Sequence, residues 1–159
     1  MAIKKIDRGH YYEDFQVGDL YKHHWGRTVN EGDNSLFTTL TMNFNPLYFN
    51  AEYSKSLGYQ GVVVNNLLVF NVVFGLSVED LSEKAIANLG YRHLKFHTSV
   101  YPGDTLFSES TIVDKRESQS RPDRGIVHVK TIGTNQHGEV VLEYERNIMV
   151  KKRSHYGEQ

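Results

Sequence analysis

The chain contains no cysteine, so disulfides, thiolate nucleophiles and thiolate-bound metals are excluded together. It lacks a dominant charge sign as well: 18 lysines and arginines face 19 aspartates and glutamates, leaving no broad field to draw nucleic acid or an anionic membrane. An anionic ligand would have to be met by local groups. No long run is purely apolar. The most apolar stretch, Val62 to Leu81, is broken by Asn65, Asn66, Asn71, Gly75, Ser77, Glu79 and Asp80, which argues against a membrane span. The opening Met1-Ala2-Ile3-Lys4-Lys5-Ile6-Asp7 carries charge where a secretory signal needs an apolar core, so the expected compartment is the cytoplasm. Also missing are a phosphate-binding glycine loop, a His-Glu-x-x-His zinc motif and a Gly-x-Ser-x-Gly elbow. His23 and His24 are adjacent, and on a strand they point to opposite faces. They read as a surface pair rather than metal ligands, and no metal is expected.

At 159 residues the chain can bury one sizeable core, and one domain is expected over residues 13 to 150. A polar N-terminal segment, residues 1 to 12, and a basic tail, residues 151 to 159, read as loosely held. Val17-Gly18-Asp19 gives a turn before a first strand, Leu20 to Val29. Thr28 and Glu31 have capping-box spacing, with Asp33 as a second cap, ahead of a short helix through Met42. Asn43-Phe44-Asn45-Pro46 ends that helix, because the residue before proline is pushed away from helical angles. Asn50 caps a further short helix, Ala51 to Leu57, and Gly58 ends it.

Residues 64 to 81 then read as one long helix with almost no polar face. A helix apolar nearly all round must be surrounded, and at roughly 27 Å it needs a sheet of several strands to cover it. Four strands follow: Leu89 to Val100, Thr105 to Val113, Ile126 to Ile132 and Val140 to Val150, with turn-forming sequences between them. The expected class is α+β, a curved antiparallel sheet wrapped around one long buried helix.

This order of elements, with several local strings, resembles the hot-dog fold and within it the MaoC-like dehydratases and R-specific enoyl-CoA hydratases. The strings are Phe15-x-Val17-Gly18-Asp19, Gly26-Arg27-Thr28-Val29-x-Glu31-x-Asp33, Asn45-Pro46-Leu47-Tyr48-Phe49-Asn50 and Tyr101-Pro102-Gly103-Asp104-Thr105-Leu106. The resemblance implies a loop of the form Asp-x-Asn-Pro-x-His whose aspartate and histidine hold a water that adds across the double bond beside a CoA thioester. Here Asn43 stands at the aspartate position and Tyr48 at the histidine position. Thr39-Leu40-Thr41-Met42-Asn43 looks most like the mesaconyl-CoA hydratase branch, which carries asparagine there but usually keeps the histidine. Asparagine takes up no proton at neutral pH, and a tyrosine donates one more readily than it accepts.

The resemblance aligns Asn65 and Asn66 with the residues whose amides polarise the thioester carbonyl at a helix start, where N–H groups are unpaired and positively polarised. Capping of a core helix accounts for the same two asparagines. Asn45, Pro46 and Val64 would line the substrate, and His93 or His97 on the following strand could replace the missing base. The implied function is an enoyl-CoA hydratase or 3-hydroxyacyl-CoA dehydratase. The alternatives are a thioesterase of the same fold and an acyl-CoA or acyl-carrier binding protein without catalysis. The expected ligand is an acyl-CoA with no separate cofactor, and hot-dog subunits joined edge to edge imply a homodimer.

Overall fold

The computed structural model describes residues 8–156, so the first seven residues, including the charged opening, lie outside the described residues. A 3-10 turn, Tyr12–Asp14, precedes β1 (Leu20–Lys22) and β2 (Arg27–Thr28), two short strands where one was expected. The break falls at His23, whose ring turns into the interior, and at Gly26, where a Cβ would strike the Phe107 ring.

Helix α1 (Glu31–Leu40) begins at a different cap from the one read in the sequence. Asn30 Oδ1 accepts from the Asp33 N–H at 2.9 Å, and Asp33 Oδ2 accepts from the Asn30 N–H at 3.0 Å, a reciprocal box two residues on from Thr28 and Glu31. α2 (Ala51–Ser56) starts at Asn50 as expected, and Gly58 takes the left-handed conformation after it.

The long apolar helix is two helices, α3 (Asn66–Leu76) and α4 (Val78–Leu81). Both the N–H and the hydroxyl of Ser77 donate to the Phe74 carbonyl, which tightens the last turn of α3 and separates the two. The strands β3 (Ala85–Phe96), β4 (Thr105–Glu117), β5 (Arg124–Thr134) and β6 (Val140–Lys151) follow. They form an antiparallel sheet in the order β1-β4-β5-β6-β3, with β2 adding to β4.

β5 throughout and β6 from Leu142 onward alternate between buried and half-buried residues, so one face of each looks at α3. Val69 and Val73 of α3 pack there with Val64, Leu106, Leu142 and Tyr144. At Gly133 the helix comes so near that a Cβ would sit 2.6 Å from Val73 Cγ2. A second core of Tyr12, Phe15, Leu81, Ile112, Val127 and Ile148 fills the other end. The expectation that the sheet surrounds the helix holds on one side only. Leu67 is 46% exposed, and Leu68, Phe70, Val72 and Phe74 are only partly covered.

The described part of the tail is anchored rather than loose. α5 (Arg153–Tyr156) places Arg153 Nη2 at 2.6 Å from Asp14 Oδ2, and the Tyr156 hydroxyl donates to Asp123 Oδ2 at 2.8 Å. A second basic group of the tail is also engaged with an acidic neighbour: Lys152 pairs with Glu117. Tyr11 and Tyr12, read as part of a loose N-terminal segment, are buried.

Candidate active site

The loop after α1 is shaped by its own amides. The Asn43 N–H donates to the Thr38 carbonyl at 3.1 Å, closing α1, while Met42 takes a positive φ of 55° to make the exit turn. Asn45 Oδ1 then accepts from the Leu47 N–H at 3.0 Å and caps a 3-10 turn, Pro46–Tyr48, with proline in its first position, where no N–H is required. This turn holds Tyr48 half-buried, five residues after Asn43.

One side chain joins that loop to the start of α3. Asn34, on the buried face of α1 and 1% exposed, donates through Nδ2 to the Tyr48 carbonyl at 2.9 Å and the Val63 carbonyl at 3.1 Å. Its Oδ1 accepts from the Asn65 N–H at 2.8 Å. Three segments are thus fixed by one amide. Sequence reasoning passed over Asn34; the available signal was a polar residue three positions before Phe37 and so on the same side of the helix.

Asn65 and Asn66 separate under this geometry. Asn65 is the N-cap of α3: its main-chain N–H is bound by Asn34, and its Oδ1 accepts from the Leu67 N–H at 3.0 Å. Its Nδ2 is buried without a hydrogen-bond partner. The Asn66 N–H, by contrast, donates to no other described residue and belongs to an exposed residue in the first turn, where the helix dipole is positive. Of the expected pair of amides, only that of Asn66 is free. Val64, expected to touch substrate, is 0% exposed; it packs in the core, and its N–H donates to the Val100 carbonyl at 2.8 Å.

The two histidines on and just after β3 lie elsewhere. His97 Nε2 sits 3.5 Å from Glu143 Oε1, and Glu143 also meets Lys130 at 2.8 Å, on the sheet face that points away from α3. The Lys130 ammonium beside Glu143 holds that carboxyl below its ordinary range. His93, at a positive φ of 55°, lines a shallow cleft of about 250 Å³ with Lys95, Lys130 and Glu143. Neither imidazole is brought to the start of α3. The Glu31 carboxylate makes no hydrogen bond or ion pair with a described residue, and Glu31 lines a cleft of about 220 Å³ with Gln60, Gly61, Val62 and Tyr101. Asp33 is engaged in its capping box and with Arg27 at 2.8 Å.

The expectation of a surface histidine pair is overturned at His23. Its side chain is fully buried, with Nδ1 at 2.6 Å from Asp80 Oδ2 and Nε2 at 3.0 Å from Ser110 Oγ, which meets Thr131 Oγ1 at 2.8 Å. An ionised Asp80 requires Nδ1 to donate, so Nε2 accepts from Ser110. Burial pushes the His23 imidazole below its ordinary pKa against the opposing pull of Asp80, and the nearby charge of Arg146 adds to the depression. The order Asp80, His23, Ser110 has the shape of a hydrolytic triad, but Ser110 is 1% exposed and reaches no substrate. The relay is a structural network at the far end of α3, with His23 and Ser110 buried and Asp80 partly exposed.

The family described as mesaconyl-CoA hydratase matches residues 2–158. The chain belongs to that family. Over 149 residues it is 42% identical to the beta-methylmalyl-CoA dehydratase of Chloroflexus aurantiacus, covering 94% of this chain and 42% of that protein. The crystal structure of a putative MaoC domain protein dehydratase from the same organism superposes with a TM-score of 0.90 at 42% identity, covering 95% of this chain and 43% of that one. A Mycobacterium tuberculosis protein described as having a double hotdog fold superposes with a TM-score of 0.84 at 24% identity, covering 91% and 44%. The fold is a hot-dog, and this chain spans less than half the length of these relatives.

Proposed function

We propose that the chain is a hydro-lyase of the enoyl-CoA hydratase or 3-hydroxyacyl-CoA dehydratase type, acting on an acyl-CoA thioester. The observation that carries this reading is the unpaired Asn66 N–H at the start of α3, fixed through Asn65 and Asn34 to the loop bearing Asn43 and Tyr48. Hydration places a water oxygen on the β-carbon and a proton on the α-carbon, and negative charge develops on the thioester oxygen in between. The Asn66 amide, at the positive end of α3, stabilises that charge. The Tyr48 phenol orients the water or acts as the acid, in which case it gives its proton to the α-carbon and takes one back from the water as that oxygen bonds to the β-carbon, and the Asn43 amide holds the water. Asn45 and Pro46 set the loop that presents both. CoA enters as part of the substrate, with no separate cofactor, and the reaction runs in the cytoplasm.

The active species is a homodimer. β3 pairs only with β6 among the described residues, so its outer edge is open, and Leu89, Tyr91 and Phe96 are exposed on it. A monomeric mass in sedimentation at micromolar concentration would refute this.

A thioesterase is the second reading, favoured by the unpaired Glu31 carboxylate in its cleft. Incubation with crotonyl-CoA, following conjugated-thioester absorbance and free thiol together, separates the cases. Absorbance loss without thiol is the expected result, and Tyr48→Phe should then lower kcat by about 10²-fold. Thiol release abolished by Glu31→Gln would replace the proposal with the thioesterase, and binding without either change would reduce it to a carrier.

A further inference from the structure

Arg146 of β6 is 0% exposed, and its guanidinium carbon lies 4.7 Å from the ring of Phe74 in the last turn of α3. Nη2 donates to Ser77 Oγ at 3.0 Å and Nη1 to Asn88 Oδ1 at 3.3 Å, while Nε has no partner. The titratable groups that act on this cation are the phenols of Tyr144 and Tyr91, neither of them a carboxylate. Tyr144, two residues earlier on the same face of β6, is also buried, and its hydroxyl has no partner either. Ser77 and the Arg146 charge both act on the Tyr144 phenol, so the three groups converge. A buried cation costs stability unless an anion and hydrogen bonds offset it. Here Nε and the phenol are two donors that an incoming carboxylate would satisfy together.

Asn66, Phe70 and Phe74 are spaced four apart and form one stripe of α3. The Phe70 ring meets the Tyr144 ring edge-on at 5.1 Å, so the stripe runs from the free Asn66 amide to the guanidinium. Its rise is about 12 Å, and helical side chains lean toward the helix start, which shortens the gap. A diacid chain of about four to six carbons, hydrogen-bonded at each end, spans about that distance. The cover over this path is Tyr91, which is 42% exposed and edge-on to Phe70 at 5.1 Å and to Phe74 at 5.9 Å. Tyr91 stands opposite Arg146, between two of the breaks in the pairing of β3 with β6, and its neighbours Gly90 and His93 have positive φ of 133° and 55°. Its ring can therefore turn aside without unpairing the rest of the strand.

We infer that Arg146 is the specificity residue of the site and receives the free carboxylate of a short dicarboxylic acyl thioester, with the Tyr144 hydroxyl as the second donor. The inference rests on the proposed thioester ligand but not on the reaction. The thioester oxygen lies at the Asn66 N–H, the carbon chain on Phe70 and Phe74 once Tyr91 has turned, and the carboxylate on Nε and the phenol. An uncharged chain of the same length leaves the cation unmatched and gains less from binding.

Calorimetric titration of the whole chain with two saturated thioesters of matched length, succinyl-CoA and butyryl-CoA, tests this without turnover by hydration. The wild-type protein should bind succinyl-CoA about tenfold or more tightly than butyryl-CoA. Arg146→Met should bring that ratio to about one or below and leave butyryl-CoA binding unchanged, while Arg146→Lys should keep part of it. Tyr144→Phe removes only an unmatched hydroxyl, so it spares the fold and should weaken succinyl-CoA alone. Equal or tighter butyryl-CoA binding by the wild type would overturn the inference. So would a ratio unmoved by Arg146→Met, or by Tyr144→Phe should the first variant not fold. Binding of neither thioester would overturn it along with the thioester reading, whereas the expected ratios in a protein that hydrates nothing would refute only the reaction.

Discussion

Replacing Asn34 by alanine should destabilise the fold by about 2–4 kcal/mol, because two buried backbone groups lose their partners at once. The Asn65 N–H and the Val63 carbonyl are both bound by this side chain in the interior, and each buried orphan costs about 1–3 kcal/mol. The Tyr48 carbonyl lies nearer solvent and adds less. With a urea slope of about 2 kcal/mol per molar, the unfolding midpoint should fall by about 1–2 M with the slope unchanged. Asn34→Asp is the sharper perturbation. It keeps the size and the acceptor for the Asn65 N–H but sets a carboxylate oxygen against the two carbonyls that Nδ2 now serves. Burial and those carbonyls raise the folded pKa of the new carboxyl above the unfolded value of about 3.9. The penalty is therefore absent below the unfolded pKa and grows as pH rises through the folded one. The Asn34→Asp variant should be less stable than the alanine variant at pH 7 and approach the wild type as pH falls toward 4. A loss below about 0.5 kcal/mol for alanine, or an aspartate penalty that does not change with pH, would refute the role assigned to Asn34.

His23 and Arg146 give two further tests at the other end of α3. The folded pKa of His23 is lowered, chiefly by burial, so its stabilising contribution is present in full above the unfolded value of about 6.5 and is lost as pH falls through the folded pKa. His23→Gln should flatten the decline of the urea midpoint between pH 7 and 5; an unchanged slope would place the titration elsewhere. Arg146 is fully buried, donates to Ser77 Oγ at 3.0 Å and Asn88 Oδ1 at 3.3 Å, leaves Nε unbound, and meets no carboxylate among the described residues. Burial lowers its pKa. Arg146→Met should leave thermal stability unchanged or raise it by up to about 2 kcal/mol, since Ser77 keeps its bond to the Phe74 carbonyl. A loss beyond about 1 kcal/mol would show that the guanidinium is compensated.

The strands were legible because β5 and β6 carry a period of two that only a half-buried sheet explains, and the turns between them are rich in glycine, asparagine and proline. The caps at Asn50 and Asn65 were legible for the same local reason. Less visible was anything set by distance. Thr28 and Glu31 have the spacing of a capping box, but the box that forms is Asn30 with Asp33, whose carboxylate also pairs with Arg27. His23 looked like a surface residue because its partners, Asp80 and Ser110, are 57 and 87 positions away. Asn34 could be recognised as the hub only once the Tyr48 turn and the α3 start were folded against it. Asn65 and Asn66 are identical in type and adjacent, yet one amide is engaged and the other free, a difference that no local pattern encodes.

Helix α3 is more apolar than its own sheet can cover. The sheet buries Val69 and Val73, while Leu67 stays 46% exposed and the rings of Phe70 and Phe74 are only partly covered. Apolar surface left in water forgoes about 25 cal/mol per Å², and the open edge of β3 adds unpaired backbone groups beside it. In the proposed homodimer a second copy supplies the missing cover. Asn66 is exposed beside Leu67 in the same first turn of α3, so the amide assigned to the thioester oxygen sits at the margin of the uncovered surface. Ligand binding and dimerisation should therefore be linked: a ligand that binds the dimer preferentially strengthens association by the same factor that dimerisation strengthens binding. Sedimentation near the dimer dissociation constant should show saturating butyryl-CoA tightening the dimer by about fivefold or more, and no shift would place the thioester away from that boundary.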